Sequence, residues 1–156
     1  WEEFLHKELS IESRLEVLEK HSLLAEEQSK RIRLILERMA GLSLRPVLNH
    51  GDIRLKNVIV DADGLITAII DWEHCMSNIT PWELSLALHD LSIDEKQEFL
   101  EGYGCEREMA ELAPLVKALN VINYAPELER LLESNDLVCL ERYRMRLSGA
   151  LDLYTF

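Results

Sequence analysis

Two short stretches of this chain hold side chains whose types and spacing suit one kind of chemistry. The first is His50-Gly51-Asp52-Ile53-Arg54-Leu55-Lys56-Asn57, in which an amide follows a carboxylate five positions on. The second is Ile70-Asp71-Trp72-Glu73, whose carboxylate lies fourteen residues beyond Asn57. An amide oxygen and a carboxylate side by side are suitable ligands for Mg²⁺ when phosphate oxygens complete its octahedron. A second carboxylate nearby can orient a hydroxyl and take its proton. On this reading Asn57 and Asp71 hold the metal, and Asp52 serves the hydroxyl.

The elements between them must bring these groups together. Val58-Ile59-Val60 and the run from Leu65 to Ile70 read as strands. Asp61-Ala62-Asp63-Gly64 between them reads as a turn, with glycine supplying a positive φ. A hairpin sets the start of its first strand beside the end of its second, so Asn57 and Asp71 should be neighbours, with Asp52 close by. The Asp-x-Asp-Gly run lacks the further ligands and terminal Glu of a calcium loop. His74, Cys75 and His89 have no common zinc spacing and read as core or surface residues.

The rest of the pattern is helical. Phe4, Leu5, Ile11, Leu15 and Leu18 form one stripe, and Ile32, Ile35 and Met39 a second, with Gly41 as its C-cap. Pro46 marks a change of period. After Pro81 come a helix over 82–89 and a second one, to about Tyr103, opened by the capping box Ser92-Ile93-Asp94-Glu95. Helices near 106–124, 127–134 and 137–154 follow. The expected fold is mainly α with a small β element (α+β), the hairpin carrying the candidate site.

The 156 residues carry 17 Lys+Arg against 29 Asp+Glu, a formal net charge of -12. A length of 156 first suggests one compact domain. The acidic balance argues against nucleic acid and anionic membranes as partners, because both need a basic face. The excess is concentrated: residues 50–104 hold 3 basic and 11 acidic groups. That middle third hints at a cationic substrate, although metal-site and turn chemistry use part of its charge. Three separated cysteines without a CxxC pair predict no disulfide framework and fit a reducing cytoplasm. No apolar run reaches membrane-spanning length.

His-Gly-Asp followed by Asn at +5, then Ile-Asp-Trp-Glu across a hairpin, matches the phosphoryl-transfer template of kinases. The chain resembles the aminoglycoside phosphotransferase and choline kinase superfamily. Phe99–Tyr103 and Pro81 after the metal motif agree with it. The resemblance implies the helical C-terminal lobe of a protein-kinase-like fold. It implies Asp52 as catalytic base, with His50 in the catalytic loop and better suited to buttressing it than to proton transfer. It further implies Asn57 and Asp71 as Mg²⁺ ligands and Glu73 as a supporting group behind the metal or bonded to the backbone. Arg54 stands where protein kinases have a Lys near the transferred phosphate, so it is the candidate nucleotide contact. Lys56 stands where the family often has Gly and reads as a surface residue.

Two departures matter. The acidic residue that usually supports the loop is Glu83 here, and shifted, which leaves room for altered geometry. Gly51 replaces the Arg of the protein-kinase triplet, so control by a phosphorylated activation loop is not expected. No Gly-rich loop, strand Lys or Walker A motif precedes the site. The whole chain, 1–156, is therefore expected to be the catalytic and substrate-binding lobe, with the N-terminal nucleotide lobe absent and Trp1 a truncation scar. The implied activity is phosphoryl transfer from ATP, with Mg²⁺, to a small-molecule hydroxyl. The isolated lobe should be nearly inactive, and its exposed apolar surface leaves a homodimer open. The alternative is a stand-alone binding or regulatory module. Aminoglycosides, choline, sugars and other alcohols stay open as acceptors.

Overall fold

The computed structural model describes residues 3, 6, 7, 9–103 and 106–152. Trp1, Phe4, Leu5, Gly104, Cys105 and residues 153–156 lie outside the described residues. Seven helices and four short strands follow in order: α1 Ile11–Lys20, α2 Glu26–Ala40, β1 Val47–Asn49, β2 Val58–Val60, β3 Ile66–Ile69, β4 Met76–Asn78, α3 Thr80–Ala87, α4 Ile93–Gly102, α5 Glu106–Ile122, α6 Ala125–Ser134 and α7 Leu137–Asp152. The mainly helical fold with a small β part is as expected.

Two helices start earlier than the expected 82–89 and 127–134, each taking in the proline before it. Pro81 and Pro126 both sit inside the first turn of their helices. Proline is tolerated there, because its missing N–H would have no intrahelical partner. A 3₁₀ turn, Leu88–Asp90, takes over where α3 ends. The Ser92 capping box is formed in both directions. Gly41 follows α2 but does not adopt the left-handed conformation of a glycine cap.

The core is built by helices. Leu15 and Leu18 of α1, Ile32 of α2, Leu115, Leu119 and Ile122 of α5, and Leu128 and Leu131 of α6 are all buried in one cluster. Helix α5 packs against α1, α2, α3 and α7 and so forms the axis of the body. Each fully buried Leu or Ile contributes roughly 1.5–3 kcal/mol. No helix of the described residues is long and apolar enough to cross a membrane.

The β part is larger than expected. Besides the hairpin β2–β3, a second antiparallel ladder joins β1 to β4, pairing Asn49 with Met76 and Val47 with Asn78. Strands of three residues with exposed outer positions carry almost no periodic signal. Two buried amides mark the join. Asn49 donates through Nδ2 to the Asn78 carbonyl at 3.2 Å, and Asn78 Oδ1 accepts from Ile79 N at 2.8 Å.

A buried polar cluster ties α3, α4 and α5 together. Lys96 is 1% exposed. Its ammonium donates to Asn120 Oδ1 and the Tyr124 hydroxyl, both at 3.2 Å, and lies 5.5 Å from the Tyr124 ring centroid. Asn120 donates to the Ser85 carbonyl at 2.9 Å and Asn123 to Ser85 Oγ at 3.0 Å. Burial, helped by the charge of Arg146, lowers the Lys96 pKa from 10.5 to about 8. The unfolded chain therefore binds more protons than the folded one between these values, and stability should rise with pH across that window. Lys96→Met should remove this contribution, worth at most roughly 3 kcal/mol. Urea unfolding of both proteins at pH 7.5 and pH 10 (about half a unit outside and inside the window) checks it. Equal pH dependence in the two would contradict it.

Candidate active site

The two ladders frame an opening. Asn49↔Met76 is the last pair of one and Val58↔Ile69 the first pair of the other. Between them residues 50–57 face residues 70–75, and both motifs lie on these two segments. A 3₁₀ turn, Leu55–Asn57, takes up slack in the first, and another, Trp72–His74, in the second.

Hydrogen bonds cross the opening. Ile70 N donates to the Asn57 carbonyl at 3.0 Å, which brings Asp71 beside Asn57 as the hairpin reading requires. His50 is buried, and its Nε2 lies 2.8 Å from the Ile70 carbonyl. Asp52 N donates to His50 Nδ1 at 3.3 Å. The Nε2–H tautomer satisfies both contacts, so each ring nitrogen is committed to backbone. Trp72 packs on the His50 ring at 4.6 Å between centroids and donates Nε1–H to the Ile69 carbonyl at 2.8 Å. His50 is thus a strut between the two segments.

Gly51 is where the segments touch. Its φ is +83°, and an added Cβ would stand 2.2 Å from the His74 carbonyl oxygen. Only glycine fits both conditions. Helix α3 braces the same point: Glu83 Oε1 accepts from His50 N at 3.0 Å and Oε2 from Gly51 N at 3.1 Å. The shifted Glu supports the loop directly. Its two oxygens meet two successive backbone N–H groups.

Asp52 is 24% exposed at its side chain. Its Oδ2 accepts from Asn57 Nδ2 at 3.2 Å and lies 2.8 Å from Lys56 Nζ. Asn57 Nδ2 also donates to the Asp52 carbonyl at 2.9 Å. Burial opposes ionisation of Asp52. The bond and charge of Lys56, the charge of Arg54 and the Asn57 bond outweigh it, and hold the carboxyl below its ordinary range. Lys56, expected to be an idle surface residue, is the cation on this carboxylate.

The committed amide nitrogen leaves Asn57 with Oδ1 as its ligating atom. Asp71 is exposed and left-handed, φ 69° and ψ 54°. Asp tolerates this conformation better than most residues, and such strain gathers at functional sites. Asn57 is buried, and an amide oxygen and an exposed carboxylate on neighbouring segments are donor types that suit a hard cation drawing its other ligands from phosphate. Among the described residues no three His, Cys, Asp or Glu side chains converge on a metal position. Glu73 does not back this pair. It is exposed and 3.4 Å from His74 Nε2, because the 3₁₀ turn directs it to the surface. Arg54 approaches Asp52 closely enough for its charge to be felt there. At the hairpin tip, Asp61 Oδ1 accepts from Asp63 N at 3.0 Å and Leu65 N at 2.9 Å, which is turn chemistry.

The model of the phosphotransferase enzyme family (APH) matches residues 3–115. A thermostable mutant of aminoglycoside phosphotransferase APH(4)-Ia, solved in its apo form, superposes with a TM-score of 0.54 at 20% sequence identity. The superposition covers 97% of this chain and 52% of that one, so the chain spans about half the length of the structure it matches. The shared architecture is part of a protein-kinase-like fold. No curated protein matches the sequence.

Three substitutions test the bracing. Glu83→Ala removes both acceptors and should destabilise the chain by roughly 2–4 kcal/mol, with Glu83→Gln losing about half as much. Gly51→Ala should cost at least ~2 kcal/mol, since backbone must move to admit the Cβ. Chemical denaturation measures all three.

Proposed function

We propose that this chain, which belongs to the phosphotransferase enzyme family, is the acceptor-side lobe of an ATP-dependent phosphotransferase acting on a small-molecule hydroxyl. The observation that carries this reading is the arrangement of Asn57. Its amide nitrogen holds Asp52, and its backbone carbonyl holds the segment that ends in Asp71. One residue thereby links the candidate base to the candidate metal pair.

Asp52 accepts the acceptor's hydroxyl proton through its Oδ1, since Oδ2 is occupied by Asn57 and Lys56. The hydroxyl oxygen forms a bond to the γ-phosphorus, the bond to the β-phosphate bridging oxygen breaks, and ADP leaves. Asn57 Oδ1 and the Asp71 carboxylate would hold Mg²⁺, which neutralises phosphate charge when bound. His50, Gly51 and Glu83 keep Asp52 in place, and Arg54 adds positive charge beside it. The nucleotide-clamping part is supplied by a preceding lobe, and the isolated chain, lacking it, leaves the γ-phosphate unpositioned.

Asp52→Asn in the full-length protein should reduce phosphoryl transfer at least 10²-fold without loss of folding. Asp71→Asn should weaken Mg²⁺-dependent nucleotide binding. ATP consumption against a panel of alcohols and calorimetric nucleotide titration measure the two. Undiminished turnover in Asp52→Asn would refute the base assignment.

A further inference from the structure

The Lys56 side chain is 55% exposed, and an ion pair so exposed adds little to stability. What it touches gives it another use. The 3₁₀ turn Leu55–Asn57 folds the side chain back, so that Nζ lies 2.8 Å from Asp52 Oδ2. Asn57 Nδ2 donates to the same oxygen at 3.2 Å. Both donors converge on Oδ2, and among the described residues none bonds to Oδ1.

The two donors hold unequally. Asn57 Nδ2 is shared, and its shorter bond, 2.9 Å, goes to the Asp52 carbonyl. The Lys56 bond to Oδ2 is shorter than the Asn57 bond and charge-assisted, so it is the stronger hold on the carboxylate. The last torsion of an Asp side chain is broad and two-fold. Held by the shared amide alone, the two oxygens would exchange places. Ammonium and carboxylate cancel in charge, so the pair acts through geometry rather than through a field across the opening.

Resting on the phosphotransferase reading, we propose that Lys56 is a positioning residue for phosphoryl transfer. It pins Asp52 Oδ2 and so fixes Oδ1 as the atom that meets the acceptor hydroxyl. Holding reacting groups in the productive orientation supplies a large part of such catalysis. A role in charge alone has the opposite sign. Removing a neighbouring cation makes a carboxylate the stronger base, so turnover would hold or rise when Lys56 is lost. Loss of a pin makes it fall.

The test compares Lys56→Met and Lys56→Arg with the full-length wild type, using Mg²⁺ and ATP with water as the acceptor probe. Water's oxygen bonds to the γ-phosphorus, the bond to the β-phosphate bridging oxygen breaks, and the proton passes to Asp52 Oδ1. Lys56→Met should lower kcat for ADP formation roughly tenfold, with KM for ATP and the urea midpoint unchanged. Lys56→Arg should restore most of the loss, since a guanidinium N–H can reach the same oxygen. A crystal structure of Lys56→Met should show the Asp52 carboxylate rotated or in two orientations. Undiminished kcat in Lys56→Met, a lower urea midpoint, an unmoved carboxylate or no rescue by Lys56→Arg would overturn the proposal. So would a wild type that binds Mg²⁺ and ATP by calorimetry but forms no ADP. A wild type that does not bind ATP at all has a different meaning: the phosphotransferase reading falls, and this proposal with it.

Discussion

The contact of Gly51 with the backbone of His74 is the constraint on which the site depends. The two segments approach so closely that one side must lack a Cβ and must turn through a positive φ. Everything nearby follows from holding that approach. The β1–β4 ladder closes one end of the opening and β2–β3 the other. His50 bridges it through Nε2 while its Nδ1 holds Asp52 N on its own segment, and Glu83 fastens the glycine's N–H to α3. Asp52, Asn57 and Asp71 lie on segments pinned at both ends, so they are preorganised by backbone.

The helical body carries this frame. Glu83 sits on α3, whose Trp82 and Leu84 are buried and whose Ser85 joins the polar cluster with α5. Position is thus passed from the core through α3 to the loop. The hairpin β2–β3 instead stands out from the body, with Ile59, Val60, Ile66, Ile69 and Ile70 exposed. Lone apolar residues at a surface are ordinary; here several lie together on one hairpin.

Much of this was legible in the sequence because the signals were chemical. The turn Asp61–Gly64 and the Ser92 capping box each rest on a side chain or glycine with one evident local use. The proximity of Asn57 and Asp71 followed from hairpin geometry alone. The β1–β4 ladder was not legible, since three-residue strands held by Asn49 and Asn78 have no period. The contacts of Glu83 and Lys56 were not legible for a different reason. Their roles depend on where a long side chain ends in space. Glu83 reaches back across thirty-odd residues to His50, and Lys56 folds over onto Asp52 four residues before it.

The central claim is that the opening between the ladders is a metal–phosphate site. Paramagnetic broadening by Mn²⁺ with ADP, read on the backbone amides of the full-length protein, tests it most directly. Resonances of residues 57–58 and 70–72 should broaden together at the lowest Mn²⁺ concentration, and Asp71→Asn should abolish the effect. Broadening that starts at the acidic hairpin tip, Asp61–Gly64, and spares Asn57 and Asp71 would contradict it.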